Sequence, residues 1–155
     1  MSLESDVRLL QELPFLAEFT EDKLRLLAFS AENRTFRDGQ RLFAAGDRAD
    51  SGFVVASGDV ALHDADDPDG APLETVGPGT LIGEMALIVD GVRPVTAVAV
   101  GPVSTIQIRR VLFRRMLQEY PEIAEGLKVR IAARLAETSA ALQAVRDRLD
   151  ALDDL

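Results

Sequence analysis

The residue types best suited to chemistry form one short segment in the middle of the chain. The segment reads Gly-Glu-Met-Ala-Leu at residues 83–87, and a lone arginine, Arg93, follows after a turn. Unpaired backbone N–H groups at the start of a helical turn, together with a facing guanidinium, bind anions. Glu84 would repel a bare phosphate, so the pattern indicates a ligand that carries a hydroxyl donor beside its phosphate, as a ribose does.

Other kinds of site are short of the residues that they require. The chain has no Cys and a single His, His63, which argues against thiolate catalysis, a Ser-His-Asp triad and a His-based metal site. The glycines at 77, 79 and 83 do not form a Walker or Rossmann loop, because Gly83 precedes Glu84 rather than Lys and no strand–helix crossover surrounds them. The acidic run 64–70 departs from the spacing of a calcium loop and predicts a solvated turn.

The composition describes one acidic domain with enough apolar residues for a core. The chain has 155 residues, of which 47% are hydrophobic and 28% charged. Acidic residues outnumber basic ones by 26 to 17, and the net charge of −9 argues against direct DNA binding. No apolar run reaches the roughly 18 residues of a membrane span, and the N-terminus lacks the pattern of a secretion signal. We therefore expect a cytoplasmic protein without a membrane segment.

The elements that must position the segment fall into three stretches. Residues 1–30 predict two short amphipathic helices, the first interrupted by Pro14 and the second capped by Thr20. In residues 35–109 short apolar runs alternate with glycine turns, which predicts antiparallel strands in a sandwich, jelly roll or barrel. Two of those predicted turns lie at Gly58-Asp59 and Gly101-Pro102.

Residues 111–155 return to a helical period. Val111 to Tyr120 predicts one helix, and Pro121 suits the first position of a longer one. Spacings of four and three alternate along that helix at Ile131, Leu135, Thr138, Leu142, Val145, Leu149 and Leu152. This heptad seam predicts a homodimer through a parallel contact of residues 131–152. The basic cluster at residues 109–110 and 114–115 is expected to pair with nearby acids.

Several motifs in this order resemble the cyclic nucleotide-binding domain family. The segment at residues 83–87 followed by Arg93 is similar to the family's phosphate-binding cassette. Further matches are Phe36-Arg37-Asp38-Gly39, Leu42-Phe43, Gly46-Asp47, Gly58-Asp59-Val60, Gly77-Pro78-Gly79, and the pair Phe113 and Pro121. The resemblance implies a single domain over residues 1–155, mainly β, in which an antiparallel jelly-roll barrel is flanked by N-terminal helices and a long C-terminal helix.

The resemblance also implies a ligand, cyclic AMP (cAMP), and the residues that hold it. Those of the cassette and its flanks are Ile82, Gly83, Glu84, Met85, Ala86, Arg93, Pro94 and Val95. Glu84 would accept from the ribose 2′-hydroxyl, Arg93 would pair with the cyclic phosphate, and backbone groups would complete the cradle. From the last helix, Thr138 and Ser139 would lie against the base, the serine coming from the opposite subunit, and Arg134 would lie nearby.

One departure from the family pattern concerns the residue after the cassette arginine. It is usually Ser, Ala or Thr, whose backbone N–H donates to the phosphate, whereas Pro94 has no N–H. One lost charge-assisted hydrogen bond costs roughly 1.5–3 kcal/mol, or about one to two decades in affinity. Pro94 also lacks the hydroxyl with which guanine-selective relatives meet the guanine amino group, so cAMP is favoured over cyclic GMP.

The function that these residues predict is a non-catalytic sensor whose helices rearrange on ligand binding. The chain ends without the helix-turn-helix of DNA-binding relatives, so we expect an unidentified protein partner or a longer regulator that contains this domain. The alternative is a structural dimerisation module with a vestigial pocket, in which Glu84 and Arg93 form a structural ion pair and Thr138 fixes the register of the seam. A third hypothesis is a sensor for another anion.

Overall fold

The computed structural model describes residues 2–133 of the chain. Contacts divide the chain into one compact unit, Met1–Glu119, and a second unit that begins at Tyr120. The predicted heptad seam beyond residue 133, and with it Arg134, Thr138 and Ser139, lies outside the described residues. The dimer and the base contacts from the last helix therefore remain predictions.

The N-terminal helices form as the sequence predicts. Helix α1 spans Leu3–Gln11 and begins with a capping box, in which Ser2 and Ser5 exchange side chain-to-backbone hydrogen bonds. A 3₁₀ turn follows at Pro14–Leu16, and helix α2 spans Glu21–Ser30 with Thr20 at its N-cap position. The interruption at Pro14 and the start after Thr20 are thus confirmed.

The strands are short except for two. They are β1 (Glu32–Phe36), β2 (Arg41–Phe43), β3 (Arg48–Ala49), β4 (Ser51–Asp64), β5 (Glu74–Val76), β6 (Leu81–Ile82), β7 (Gly91–Val92) and β8 (Val95–Arg109). Every pairing among them is antiparallel. A six-stranded sheet runs β1-β8-β4-β5, with β2 on β8 and β6 on β4, while β3 and β7 form a separate ribbon.

The antiparallel β class is confirmed, but the predicted barrel is wrong for the described strands. The sheet does not close on itself, because β3 and β7, two residues each, pair only with one another. Hydrogen bonds therefore do not run continuously around a cylinder.

The turns predicted at Gly58-Asp59 and Gly101-Pro102 are also wrong. Both lie inside the long strands β4 and β8, which pair from Ser51↔Arg109 to Asp64↔Val95 with register irregularities around Ser57. Gly58 and Gly101 have φ of 86° and 72°. A left-handed glycine inside a paired strand bends it as a bulge without ending the pairing.

The core of the sheet is aliphatic and aromatic. Its buried members are Phe36, Leu42, Phe43, Phe53, Val55, Val60, Ile82, Ala97, Ala99 and Val103. A second aromatic contact lies at helix α3, Arg110–Glu119, where Phe113 stacks on Phe15 and Phe19 at centroid distances of 5.5 and 5.9 Å. The predicted helix over residues 111–120 is thus confirmed to within one residue. A further helix begins at residue 121, as Pro121 predicted, and is described to residue 133.

Candidate anion-binding site

The cassette begins where β6 ends. Gly83 has φ 79° and ψ 37°, a left-handed conformation that glycine adopts without steric cost, and it turns the chain into a 3₁₀ turn at Glu84–Leu87. Ala86 and Leu87 are buried and anchor this turn, while Glu84 is half-buried and the Met85 side chain is 56% exposed. The predicted helical turn is confirmed, and within it the Ala86 N–H donates to Gly83 O at 3.1 Å.

Arg93 lies between β7 and β8 and is only 4% exposed. Its backbone is fixed to the preceding turn, since its N–H donates to Asp47 O (2.8 Å) and its carbonyl accepts from Gly46 N (2.9 Å). Its guanidinium carbon lies 4.3 Å from the centre of the Phe43 ring and 5.7 Å from that of Phe53. Two aromatic faces therefore hold the cation inside the protein.

Most of the hydrogen-bonding capacity of this guanidinium is unused. Nη2 donates to Ser51 Oγ at 3.3 Å, whereas Nε and Nη1 are buried and have no hydrogen-bond partner among residues 2–133. Burial lowers the pKa of Arg93, opposed by the charges of Asp50 and Asp47, and the guanidinium stays protonated at neutral pH. A buried cation whose N–H donors lack acceptors is suited to binding an anion, which would supply both the opposite charge and the acceptors.

The two halves of the predicted site meet at Gly83. A Cβ placed on Gly83 would lie 2.6 Å from Arg93 Nη1, which is one of the unpartnered nitrogens. The backbone of the cassette and the guanidinium thus approach one another with no side chain between them, as a ligand bound by both requires.

The remaining predicted residues are placed around this pair. Ile82 is buried in the core, Pro94 is exposed and Val95, half-buried, begins β8. Pro94 therefore stands directly after the guanidinium-bearing residue without an N–H to offer, as the sequence predicts. Beside it, Thr96 is buried and its hydroxyl oxygen accepts from Ala45 N at 2.9 Å, which ties the start of β8 to the turn before β3.

An apolar strip of three side chains packs against the core cluster that contains Phe43 and Phe53, the aromatic neighbours of Arg93. Leu62, Val76 and Val95 are partly buried and pack against the core cluster. Leu73 is 64% exposed, and its N–H donates to Leu62 O at 2.8 Å, so it lies beside the strip. Apolar surface next to an anion cradle suits the flat face of a base.

The sequence predicted acidic partners for the basic cluster but not its contacts with the cassette turn. Arg110, at the start of α3, makes such contacts: its Nη1 donates to Ala49 O (2.9 Å), Ala86 O (3.2 Å) and Val89 O (3.2 Å). Arg114, one turn later, donates to Ile88 O at 3.4 Å. Helix α3 is thereby bound to the far end of the cassette turn.

Arg109, the other half of this dipeptide, pairs with acids as predicted. Its Nε lies 3.1 Å from Glu32 Oε1, and its Nη1 lies 3.5 Å from Asp50 Oδ2. Arg110 also pairs with an acid, since its Nη2 lies 3.4 Å from Asp90 Oδ1, and it donates in addition to three carbonyl groups.

Residues 33–120 match the sequence profile described as "Cyclic nucleotide-binding domain". The chain belongs to the cyclic nucleotide-binding domain family. The match covers the whole cassette and Arg93. Across residues 2–133, no helix is both long and apolar enough to cross a membrane. In the same range no group of three or more His, Cys, Asp or Glu side chains is placed to hold a metal ion.

Three relatives of this cyclic nucleotide-binding domain place it in context. The Cyclic AMP receptor protein of Thermus thermophilus is 32% identical over 107 residues, which are 68% of this chain and 50% of that protein. Glutaminase 2 of Bradyrhizobium diazoefficiens is 32% identical over 142 residues, which are 92% of this chain and 22% of that enzyme. The N-terminal domain of a transcriptional regulator from Streptomyces coelicolor superimposes with a TM-score of 0.77 at 33% identity, covering 86% of this chain and 96% of that one. The chain thus spans half or less of the two curated relatives.

Proposed function

We propose that this domain is a regulatory sensor that binds cAMP at the cassette and Arg93. The observation that carries the proposal is the buried guanidinium, whose Nε and Nη1 have no hydrogen-bond partner in the described part of the chain and whose Nη1 lies against Gly83. A cyclic phosphate would supply the missing acceptor for these donors. The half-buried Glu84, at the first position of the cassette turn, would accept from the ribose 2′-hydroxyl.

The base would lie on the apolar strip of Leu62, Val76 and Val95, with Leu73 beside it. Adenine is preferred over guanine because Pro94 has no hydroxyl oxygen that could accept a hydrogen bond from the guanine amino group. From the last helix, Thr138, Ser139 and Arg134 would cover the base, the serine across a dimer formed by residues 131–152. Ligand that bridges the cassette and this helix would favour one helix arrangement over the other.

The same Pro94 favours a second candidate function. Without its backbone donor, the affinity for a cyclic phosphate falls by about one to two decades if no other group substitutes. The domain would then act as a dimerisation module whose pocket no longer responds to nucleotide. The two functions differ in one property, the response of the folded protein to cAMP.

The output of the sensor is proposed from the kinds of protein that contain related domains. The relatives include a receptor protein, a transcriptional regulator and an enzyme, each longer than the matched region or named as a part of a regulator. We propose a non-catalytic role for this domain, in the cytoplasm, with a protein partner or a fused effector that reads the helix arrangement. Direct DNA binding is not proposed, given the net charge of −9.

Thermal unfolding in the presence of cAMP, cyclic GMP or AMP separates the two functions. Ligand at about one hundred times its Kd adds roughly 2.7 kcal/mol to the stability of the folded state. For a chain of this size each kcal/mol raises Tm by about 2–4 °C. A rise with cAMP that is absent in Arg93→Ala supports the sensor. No rise with any nucleotide supports the dimerisation module.

A further inference from the structure

A line of buried polar groups runs from Arg93 to the surface. Ser51, the first residue of β4, is fully buried, and its Oγ accepts from Arg93 Nη2 at 3.3 Å and from Gln107 Nε2 at 2.8 Å. Both lone pairs of the hydroxyl oxygen are therefore in use. The serine holds one end of the guanidinium and leaves Nε and Nη1 for an anion.

Gln107 is itself held in one orientation. It is 4% exposed, lies in β8 opposite Phe53 and Glu32, and its Oε1 accepts from Arg34 Nη1 at 3.3 Å. Arginine only donates, so the amide oxygen must face Arg34 and the amide nitrogen must face Ser51. The amide in turn obliges the serine oxygen to act as acceptor, which is the role that Arg93 needs.

Arg34 is the exposed end of this chain of hydrogen bonds, which joins Arg34, Gln107 and Ser51 to Arg93 and is called the relay below. Its guanidinium carbon lies 5.2 Å from the centre of the Phe36 ring, and its carbonyl accepts from Thr105 Oγ1 at 3.1 Å. Both contacts fix it on β1, three hydrogen bonds away from the Arg93 guanidinium.

We propose that Arg34, Gln107 and Ser51 are positioning residues of the nucleotide site, which orient Arg93 before the ligand arrives. The inference rests on the proposed function. None of the three needs to touch the nucleotide: each fixes the next, and preorganisation of Arg93 reduces the ordering that binding would otherwise require. Affinity for cAMP therefore depends on a surface residue outside the cassette.

The first test is calorimetric titration of the full chain with cAMP. Ser51→Ala is expected to weaken binding about ten-fold, in line with the loss of one hydrogen bond to a charged group, and Arg34→Met about three-fold. Arg37→Met is the matched control, because Arg37 is exposed, carries the same charge and directly follows the last residue of β1. Val54→Ala controls for lost stability, since Val54 is buried outside the relay.

The second test needs no nucleotide. In ¹⁵N NMR of arginine side chains, rotation of the Arg93 guanidinium is expected to be slow in the wild type and in Arg37→Met, and faster in Ser51→Ala and Arg34→Met. Equal affinity and equal rotation in wild type, Ser51→Ala and Arg34→Met would overturn the relay. If the wild type binds no nucleotide, the proposed function fails. The relay is then tested by the rotation rate of the Arg93 guanidinium alone, compared between the wild type and the two variants. If Ser51→Ala does not fold, Arg34→Met decides in the same way.

Discussion

Gly83 and Arg93 approach so closely that a Cβ on the glycine would lie 2.6 Å from Nη1 of the arginine. The glycine is also left-handed, with φ 79°. Two separate requirements therefore fall on one residue, since an alanine there would strain the backbone and press on the guanidinium. The first requirement concerns folding, and the second concerns the site.

Gly83→Ala is expected to lower stability by about 1–2 kcal/mol and to weaken cAMP binding more than ten-fold. The matched control is Gly79→Ala: Gly79 has φ 86°, but a Cβ there meets nothing within 4 Å. It should lose similar stability and keep its affinity. Urea unfolding and calorimetry measure the two effects, and equal losses of affinity in both variants would contradict the direct approach of Gly83 to Arg93.

Arg93→Met is expected to abolish nucleotide binding without loss of stability. Burial of a charge destabilises the folded state by several kcal/mol, and the aromatic contacts offset about 1–2 kcal/mol of that cost. Removal of the charge should therefore leave the unfolding free energy constant or raise it by about 1 kcal/mol. Urea unfolding checks this against Arg109→Met, which removes an exposed ion pair with Glu32 and should lose about 1 kcal/mol or less. A large loss of stability in Arg93→Met would show that the arginine serves the fold.

Arg110→Gln tests whether α3 holds the cassette in place. The variant removes the charge-assisted bonds to the carbonyl groups of Ala49, Ala86 and Val89, which should cost about 1.5–3 kcal/mol of stability and weaken cAMP binding. Arg115→Gln is the control, because Arg115 carries the same charge and is exposed on the same helix. Similar behaviour of the two variants in urea unfolding and calorimetry would rule out a specific role for Arg110.

Asp6 in α1 gives a pH-dependent prediction. It is 3% exposed, its Oδ1 has no hydrogen-bond partner among residues 2–133, and burial raises its pKa above the ordinary value of 3.8 despite the lowering effect of the neighbouring Asn33 amide. The folded chain therefore holds this proton more tightly than the unfolded chain, and stability falls as pH rises from about 3.8 through the raised pKa.

Asp6→Asn should stabilise the protein at pH 7 by about 1 kcal/mol or less, and should have no such benefit near pH 3, roughly below both pKa values. Urea midpoints at the two pH values measure the difference. Asp69→Asn, an exposed loop change, serves as the control. A gain that is the same at both pH values would contradict the assignment of the effect to the carboxylate charge.

The cassette was predictable because its signals are local. Gly83, the short apolar turn after it and Arg93 all lie within residues 83–93, and the structure brings Gly83 and Arg93 together as expected. The bends at Gly58 and Gly101 were not predictable, because a left-handed glycine occurs both in turns that end strands and in bulges that do not. Only the β4–β8 pairing decides between them.

The residues that support Arg93 have no local signal at all. Ser51 and Gln107 are 56 residues apart and meet because of the register between β4 and β8. Phe43 and Phe53 belong to apolar runs that any strand would carry, and their contact with a cation depends on where Arg93 is buried. The open sheet likewise depends on pairing partners that residue types do not specify.

Calorimetric titration of the wild-type chain with cAMP, with AMP as the competing ligand and Arg93→Met as the control, tests the central claim most directly. We predict one cAMP bound per chain, much weaker binding of AMP, and no heat with Arg93→Met. Absence of heat with wild-type chain, or equal binding by wild type and Arg93→Met, would contradict a nucleotide site built on the unpartnered donors of Arg93.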